Sequence, residues 1–297
     1  MTLATIALTT EVRVLSWNLF HGRDSPPEPE LLTWRSRLLR TTERGRGHAQ
    51  LNRDLYEQFA GLLADAEWNV ALLQECPPRW AERLATDCRA EPHLVPTSRN
   101  IPALSRLQAL AADWNPDLIA SWEGGSNLTL VRTPGIGSTA ILERRMHRLA
   151  RFPERRAMAF AELTSGLCVG NLHASADREA AERELPLAAR AAVGWAGGRP
   201  LLLGGDFNLR PALSGLVFDR LEQDHGLRAP TGAKAIDHLL VADAEIIEAP
   251  AQWPPDAREV PDPTASGGRV LPIRLSDHAP VEALLRIPDP AQPPTAP

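Results

Sequence analysis

The chain has 297 residues, 43% of them hydrophobic, and a formal net charge of −5 at pH 7. This length suits one large domain or two ordinary ones, and the apolar share is ordinary for a soluble globular protein. The mildly negative charge excludes a general basic field that would attract nucleic acid or an anionic membrane, so a nuclease would need a local basic patch.

The chain carries no recognisable targeting or membrane signal. Residues 1–10 contain no basic residue before a short apolar stretch and no convincing cleavage site, so we expect no signal peptide. No uninterrupted apolar run reaches ~20 residues, which predicts no membrane insertion. Cys76, Cys88 and Cys168 lack metal-ligand spacing and indicate buried thiols in a reducing compartment. We expect a cytoplasmic monomer.

The first half of the chain alternates short apolar runs with helical patterns. In a helix the apolar spacing follows a period of 3.6 residues, and in a strand it follows a period of two. In chain order we predict a strand at 12–17, irregular proline-rich chain at 25–29, a partly helical arginine-rich surface segment at 33–48, an amphipathic helix at 51–66, a strand at 70–75, a short helix from Pro77 to about residue 88 and a brief strand at 94–97.

Residues 99–126 are less regular. Residues 101–112 have helical spacing, whereas the tryptophans, proline and paired glycines of 114–125 indicate a loop. A segment of this length between two strands is either a substrate-facing cap near the functional site or an ordinary surface excursion.

The second half alternates strands and helices in the same way. In chain order we predict strands at 127–132, 139–142, 156–163 and 167–172, a helix at 177–195 that is bent or broken near Pro186, a strand at 201–203, a helix at 213–222, strands at 236–241 and 245–249, a long loop at 250–272 over one edge of the site, and a closing strand at 281–285. We divide the chain into an N-terminal extension (1–11), one domain (12–286) and a disordered proline-rich tail (287–297).

The segment Leu-Leu-Leu-Gly-Gly-Asp-Phe-Asn at 201–208 is the most informative stretch. An apolar strand ends there in Asp206 and Asn208, which would point to the same side if the chain stayed extended. Alone, this pair would more often form a turn in which the side chains bond their own backbone. Other apolar runs, however, also end in polar side chains, and these are Asn18, Glu75, His173, Asp237, Asp277 and His278.

Six short motifs occur in a fixed order along the chain: W-N, L-Q-E, N-x-H, G-D-F-N, I-D-H and S-D-H-x-P. Together they resemble the endonuclease/exonuclease/phosphatase superfamily over about residues 12–286. The mixture of strands and helices indicates an α+β domain, and the resemblance implies a four-layer αββα sandwich of two face-to-face sheets. It also implies a metal-dependent phosphohydrolase. Interval 99–126 is usually shorter in the family and is therefore a possible insertion near the site.

The resemblance assigns roles to individual residues, and carboxylates are suitable ligands for Mg²⁺ or Mn²⁺. By this match, Glu75 is the leading metal ligand with Asn18 and Asp277 beside it, and Asn18 also contacts substrate. Asp206 orients or activates the attacking water, and Asn208 bonds the phosphate. Asp237 and His278 form an acid–imidazole pair, and His173 contacts the phosphate or leaving oxygen.

Other polar residues have alternative interpretations. Arg132 could clamp a phosphate bidentately or could form a surface ion pair. Asn171 is expected to support a loop, and His238 to point away from Asp237 as a structural residue. His21, next to Phe20 where some family nucleases carry an acidic residue, is not expected to bind substrate.

Three functions are compatible with these residues. The first is a phosphoesterase that acts on a small or lipid-derived phosphate ester, and the second is a nuclease, which would need basic and aromatic residues along a groove. The third is a catalytically inactive binding module. The complete set of matching polar residues favours an enzyme.

Overall fold

The computed structural model describes residues 9–97, 105–115, 119, 124–132, 140–150, 155–265 and 270–288. Within them the strands are β1 (Thr9–Asn18), β2 (Glu43–Arg44), β3 (Ala49–Gln50), β4 (Val70–Cys76), β5 (Ala90–Pro96), β6 (Ser126–Arg132), β7 (Ile141–Ala150), β8 (Arg156–Leu163), β9 (Cys168–His173), β10 (Leu201–Asp206), β11 (Asp237–Ala242), β12 (Glu245–Gln252), β13 (Glu259–Pro261), β14 (Pro272–Arg274) and β15 (Val281–Pro288). The α-helices are α1 (Trp34–Leu39), α2 (Tyr56–Asp65), α3 (Ala81–Asp87), α4 (Ser105–Trp114), α5 (Arg178–Ala196) and α6 (Pro211–His225).

Two mixed sheets contain most of these strands. The first has the order β12-β15-β1-β4-β6-β5 and the second has the order β11-β10-β9-β8-β7. In each sheet one pair of strands is parallel, β1 with β4 and β9 with β10, and the other pairings are antiparallel. This architecture confirms the α+β class.

Three apolar layers hold the sheets and helices together. The layer between the sheets includes Val12, Val14, Val70 and Leu72 of the first sheet and Val169, Leu202, Leu239 and Val241 of the second. The outer face of the first sheet packs on α2 and α3 through residues that include Leu15, Trp17, Phe59, Leu63, Trp80 and Leu84. The outer face of the second packs on α5 and α6 through residues that include Phe160, Leu203, Leu240, Ala181, Leu185 and Phe218. The predicted four-layer sandwich is therefore present.

Period-two alternation decides which side chains enter the space between the sheets. Val12 and Val14 of β1 lie in the central layer, whereas Leu15 and Trp17 lie on the helix-covered face. Successive strand side chains point to opposite faces. Continuing the inward series places Asn18 at the end of β1, where the apolar filling between the sheets stops.

Several predicted boundaries are wrong because tertiary contacts override local pattern. Helix α2 begins at Tyr56 and not at the predicted residue 51. Leu51 and Leu55, whose spacing suggested the earlier start, are buried in the segment before the helix. Helix α5 runs through Pro186 as one segment. Thr9 pairs with Pro288, so β1 and β15 reach past residues 12 and 286, and the division of the chain into extension, domain and tail stays a prediction.

The described part of the predicted long loop at 250–272 contains regular elements. Strand β12 continues to Gln252, and a 3₁₀ turn at Pro255–Arg258 leads into the antiparallel pair β13 and β14. Leu271 and Ile273 are buried in the layer beneath α2 and α3. Prolines are tolerated here because these strands lie outside the main sheets and need few ladder hydrogen bonds.

The possible insertion at 99–126 falls partly outside the described residues. Of it the structure describes α4 and the segment from Gly124 onwards. The cap interpretation therefore stays a prediction. Among the described helices, none is both long enough and apolar enough to cross a membrane.

Candidate active site

Asn18 and Asp206 meet across the gap between the two sheets. Both lie at the ends of their strands, and each is only 1% exposed. The Asn18 side-chain amide donates to Asp206 Oδ2 at 2.9 Å, and Asn18 Oδ1 accepts from the Phe20 backbone N–H at 2.9 Å. Asn18 thus presents an N–H to Asp206 and positions that carboxylate, and its predicted role as a metal ligand stays a prediction.

Asp206 is the centre of the cluster. Its Oδ2 lies 3.5 Å from Nε2 of His173 and 3.8 Å from Nε2 of His278. Burial and the neighbouring Asp237 carboxylate raise the pKa of Asp206 to about 7. A carboxylate with such a pKa can accept a proton near neutral pH, which is the property that a general base needs.

Asp206 and Asn208 form a turn and do not continue the extended strand. Asn208 has a φ of 54°, and its backbone N–H donates to Asp206 Oδ1 at 3.0 Å. The Asn208 amide donates to the carbonyl of Ala174 at 3.2 Å. Gly205 permits this exit because a Cβ there would lie 1.9 Å from the carbonyl oxygen of Leu172. The turn interpretation of this motif is therefore correct, and the turn leaves Asp206 facing His173 and His278.

Asp237 and His278 form a hydrogen-bonded pair although 41 residues separate them. Nδ1 of His278 lies 2.8 Å from Asp237 Oδ2. Burial lowers the pKa of His278, but the hydrogen bond to Asp237 and the surrounding carboxylates outweigh it and raise the pKa to about 10. The His278 ring is therefore cationic at neutral pH, with Nε2 facing Asp206.

The main chain around His278 is held by buried donors. Arg258, the last residue of the 3₁₀ turn, donates to the carbonyls of Ser276 and His278, and Trp17 Nε1 also donates to the His278 carbonyl at 3.0 Å. Arg258 belongs to the segment that was predicted as a loop over the site, and it helps to position the site residue His278.

Glu75 reaches the cluster through an irregularity at the end of β4. The pairing of β4 with β6 shifts register between Leu73 and Cys76, and Glu75 has a φ of 46°. Bulges of this kind redirect side chains and are common beside active sites. Glu75 Oε1 lies 3.8 Å from His173 Nε2, and Oε2 lies 3.1 Å from His21 Nε2.

His173 is neutral in this setting. Burial lowers its pKa to about 3, and the guanidinium of Arg156, 3.4 Å from Nδ1, contributes to the shift. An Arg N–H can only donate, so Nδ1 accepts and the ring proton is on Nε2. That N–H faces Asp206 and Glu75, where it can donate to a carboxylate or to a phosphate oxygen.

The structure places Arg132 away from this cluster. It ends β6, whereas the site lies at the other end, and a strand of seven residues spans about 20 Å. Its guanidinium donates to the carbonyls of Leu63, Ala64 and Ala66 at the end of α2 and stacks on Trp68 at 4.0 Å. The predicted substrate contact is wrong, because these carbonyls use the guanidinium to complete the helix C-terminus.

We expect Arg132→Ala to lower the free energy of unfolding by about 2 kcal/mol, since hydrogen bonds to a charged group are lost. Urea unfolding followed by circular dichroism measures this change. Arg132→Lys is the matched variant and should be intermediate, because a lysine keeps the charge without the planar fork. Normal stability combined with lost turnover would restore the substrate role.

Several residues were not recognised from sequence. Asn171 was expected to support a loop, but it is buried between the sheets and its amide bonds Gln74 and the carbonyls of Leu73 and Leu128. His21 and Arg156 contact Glu75 and His173 directly. The adjacent arginines at 155 and 156, at the start of β8, were the available signal for Arg156, whereas His21 had none beyond its closeness to Asn18. His238 is structural, as predicted, and contacts the carbonyl of Leu209 at 2.9 Å.

The donor set fits a hard divalent cation. Asp277 lies near Glu75. Burial raises the pKa of Asp277, the charge of His278 lowers it, and the negative charge of Glu75 raises it further. Asp206, Asp237 and His278 also offer ligand atoms within 4.8 Å of one another. Oxygen-rich sets of one or two carboxylates with waters suit Mg²⁺ or Mn²⁺. Glu75 and Asp277 lie outside the hydrogen bond between Asp237 and His278 and are the carboxylates that would hold such a cation.

The chain matches the model of the Endonuclease/Exonuclease/phosphatase family over residues 15–278. It belongs to this family. The six ordered motifs are explained by that membership, and the family includes hydrolytic phosphoesterases and nucleases. Comparison with curated proteins found no significant match.

Solved structures share the fold at low identity. An endonuclease/exonuclease/phosphatase family protein from Bacteroides thetaiotaomicron has a TM-score of 0.61 and 14% identity, covering 94% of this chain and 99% of that one. A mannosyl-6-phosphatase from the same species has a TM-score of 0.59 and 14% identity, covering 92% and 99%. A family protein from Bacteroides vulgatus has a TM-score of 0.55 and 16% identity, covering 94% and 99%. These similarities establish the fold.

Proposed function

We propose that this protein is a divalent-metal-dependent phosphoesterase that hydrolyses a phosphate ester with an activated water. The observation that carries the proposal is the convergence of Glu75, His173, Asp206 and His278 at the ends of strands from both sheets, within 3.8 Å of one another in successive contacts. One fold-related structure is named a mannosyl-6-phosphatase, which supports phosphate-ester chemistry as an analogy of fold only.

Each side chain has a chemical task in this proposal. A bound divalent cation supplies charge neutralisation at the phosphoryl oxygens. Glu75, with Asp277 beside it, would hold that cation. Asp206 accepts the proton of the attacking water, because its raised pKa of about 7 matches this task. His278, kept cationic by Asp237, donates from Nε2 to the phosphoryl group as negative charge develops there.

His173 and Asn208 complete the proposed contacts. The Nε2–H of His173 donates to a phosphate or leaving oxygen, and Arg156 holds the ring in the required tautomer. Asn208 uses one amide hydrogen on the carbonyl of Ala174 and directs the other to a phosphate oxygen. Asn18 keeps Asp206 in place.

A substrate panel tests the proposed function. Purified protein is assayed with Mg²⁺ or Mn²⁺ against sugar, nucleotide and inositol phosphates, sphingolipids, single- and double-stranded DNA, and RNA. We expect hydrolysis of at least one phosphate ester, its loss in excess chelator, and its recovery when the metal is restored. Full turnover in excess chelator contradicts the metal role. Selective cleavage of nucleic acid identifies the nuclease alternative, and inactivity with every substrate favours a binding module.

A further inference from the structure

We propose that His21 contributes an imidazole nitrogen to the cation site of Glu75, so that the site prefers a divalent transition-metal ion such as Mn²⁺ over Mg²⁺. This inference rests on the proposed metal-dependent function and concerns the composition of the same site. It begins with one contact, in which Nε2 of His21 lies 3.1 Å from Oε2 of Glu75, with the two side chains 12% and 21% exposed.

The distance between the two atoms suits a pair of adjacent ligands on one ion. In octahedral coordination with bonds of about 2.1 Å, neighbouring ligand atoms are about 3.0 Å apart. The observed separation of 3.1 Å between the two atoms is close to this value. His21 and Glu75 Oε2 would hold the cation in place of their present contact, and Glu75 Oε1 faces His173.

The main chain holds both residues in an uncommon conformation. His21 has a φ of 54°, Phe20 a φ of 49° and Glu75 a φ of 46°. Left-handed backbone is unfavourable for residues other than glycine and is frequent at functional sites, where surrounding contacts maintain it. The strain at both ends of one contact indicates that the fold maintains this juxtaposition.

Two contacts hold His21 and Glu75 next to each other. The Leu19 N–H donates to the carbonyl of Gln74 at 2.8 Å, which ties the chain before His21 to the chain before Glu75. A Cβ added at Gly125 would lie 3.4 Å from Cα of Glu75 and 3.5 Å from Cε1 of His21, so one glycine packs against both. The imidazole is thus held beside the carboxylate before any cation binds.

Donor chemistry sets the metal preference. Mg²⁺ strongly favours oxygen ligands and retains several waters, whereas imidazole nitrogen binds the more polarisable first-row transition ions better. A carboxylate with an adjacent imidazole is therefore a mixed set that discriminates against Mg²⁺. The alternative is that His21 only donates a hydrogen bond to Glu75 and never contacts the ion.

Electron paramagnetic resonance of Mn²⁺ bound to the whole protein distinguishes the two. Pulsed spectra detect nitrogen-14 coupling from an imidazole bound directly to Mn²⁺, and this readout does not depend on turnover. We expect imidazole coupling in the wild type and its loss in His21→Asn, because asparagine tolerates the left-handed backbone at this position. His225→Asn, at the end of α6, is the matched control and should keep both the coupling and the affinity.

Metal competition supplies a second measurement. In His21→Asn we expect Mn²⁺ affinity to fall by about tenfold while Mg²⁺ affinity, measured by displacement of Mn²⁺, changes much less. Circular dichroism establishes that each variant is folded. Bound Mn²⁺ without imidazole coupling, or coupling that survives in His21→Asn, overturns the inference and leaves the proposed function intact. Failure of the wild type to bind Mn²⁺ or Mg²⁺ would overturn both.

Discussion

Glu75→Gln is expected to lower turnover by about 100-fold or more, since changes to mere supporting partners of metal ligands already cost 10–100-fold. The amide keeps the size of the side chain but removes the charge that would hold a divalent cation. The metal concentration needed for half-maximal activity should rise in the same variant. Steady-state kinetics over a metal titration measures both effects.

Two comparisons make the Glu75 result specific. Glu222→Gln makes the same chemical change on an exposed face of α6 and should leave kinetics and metal dependence unaltered. His278→Ala should mainly lower turnover with little change in metal requirement, because it removes a contact to the phosphoryl group. Wild-type rates and metal dependence in Glu75→Gln would show that Glu75 is not the metal ligand.

The second large effect concerns Asp237 and His278, which should act as one unit. Each single variant, Asp237→Asn and His278→Ala, is expected to lower turnover by about 10²- to 10⁴-fold, the usual range for an acid–base group. The double variant should be little slower than the slower single variant, because loss of either partner removes the same cationic donor. Losses that multiply in the double variant would show independent roles.

The electrostatic basis of this pair can be measured separately from turnover. Asp237 supplies both the hydrogen bond and the strongest charge interaction that raise the pKa of His278 to about 10. Asp237→Asn should therefore lower that pKa, and nuclear magnetic resonance titration of the imidazole in the metal-free protein follows it. An unchanged pKa of His278 in Asp237→Asn would mean that the contact does not hold the ring in its cationic form.

The strand pattern and motif order are properties of the sequence itself. The short apolar runs at 12–17 and 201–203 predicted strands that lead to Asn18 and Asp206, because an apolar run of this length is a local signal of a buried strand. The order of the six motifs predicted the family and, through it, the four-layer fold. Roles of the individual residues stay proposals.

The local sequence pattern did not predict the positions of Arg132 and His21. Arg132 ends a buried strand, as several site residues do. Because β6 runs antiparallel to β4, however, this end lies at the edge of the sheet away from the site, and Arg132 binds the carbonyls at the end of α2. His21 looked incidental, yet its ring contacts Glu75. The direction in which a strand runs within its sheet decides which end reaches the site, and that direction is set by pairing with distant segments.

By itself the sequence determined the α+β class, the family and most of the residues that meet at the site, because these depend on residue type and short-range periodicity. Tertiary structure alone decided that Glu75 turns into the site through a bulge, that Asn18 donates to Asp206, that burial and the guanidinium of Arg156 keep His173 neutral, and that Arg258, at the end of a 3₁₀ turn within the predicted loop, supports His278. These features depend on left-handed backbone, burial and cross-sheet contacts between residues far apart in the chain, and packing of the complete fold is needed to maintain them.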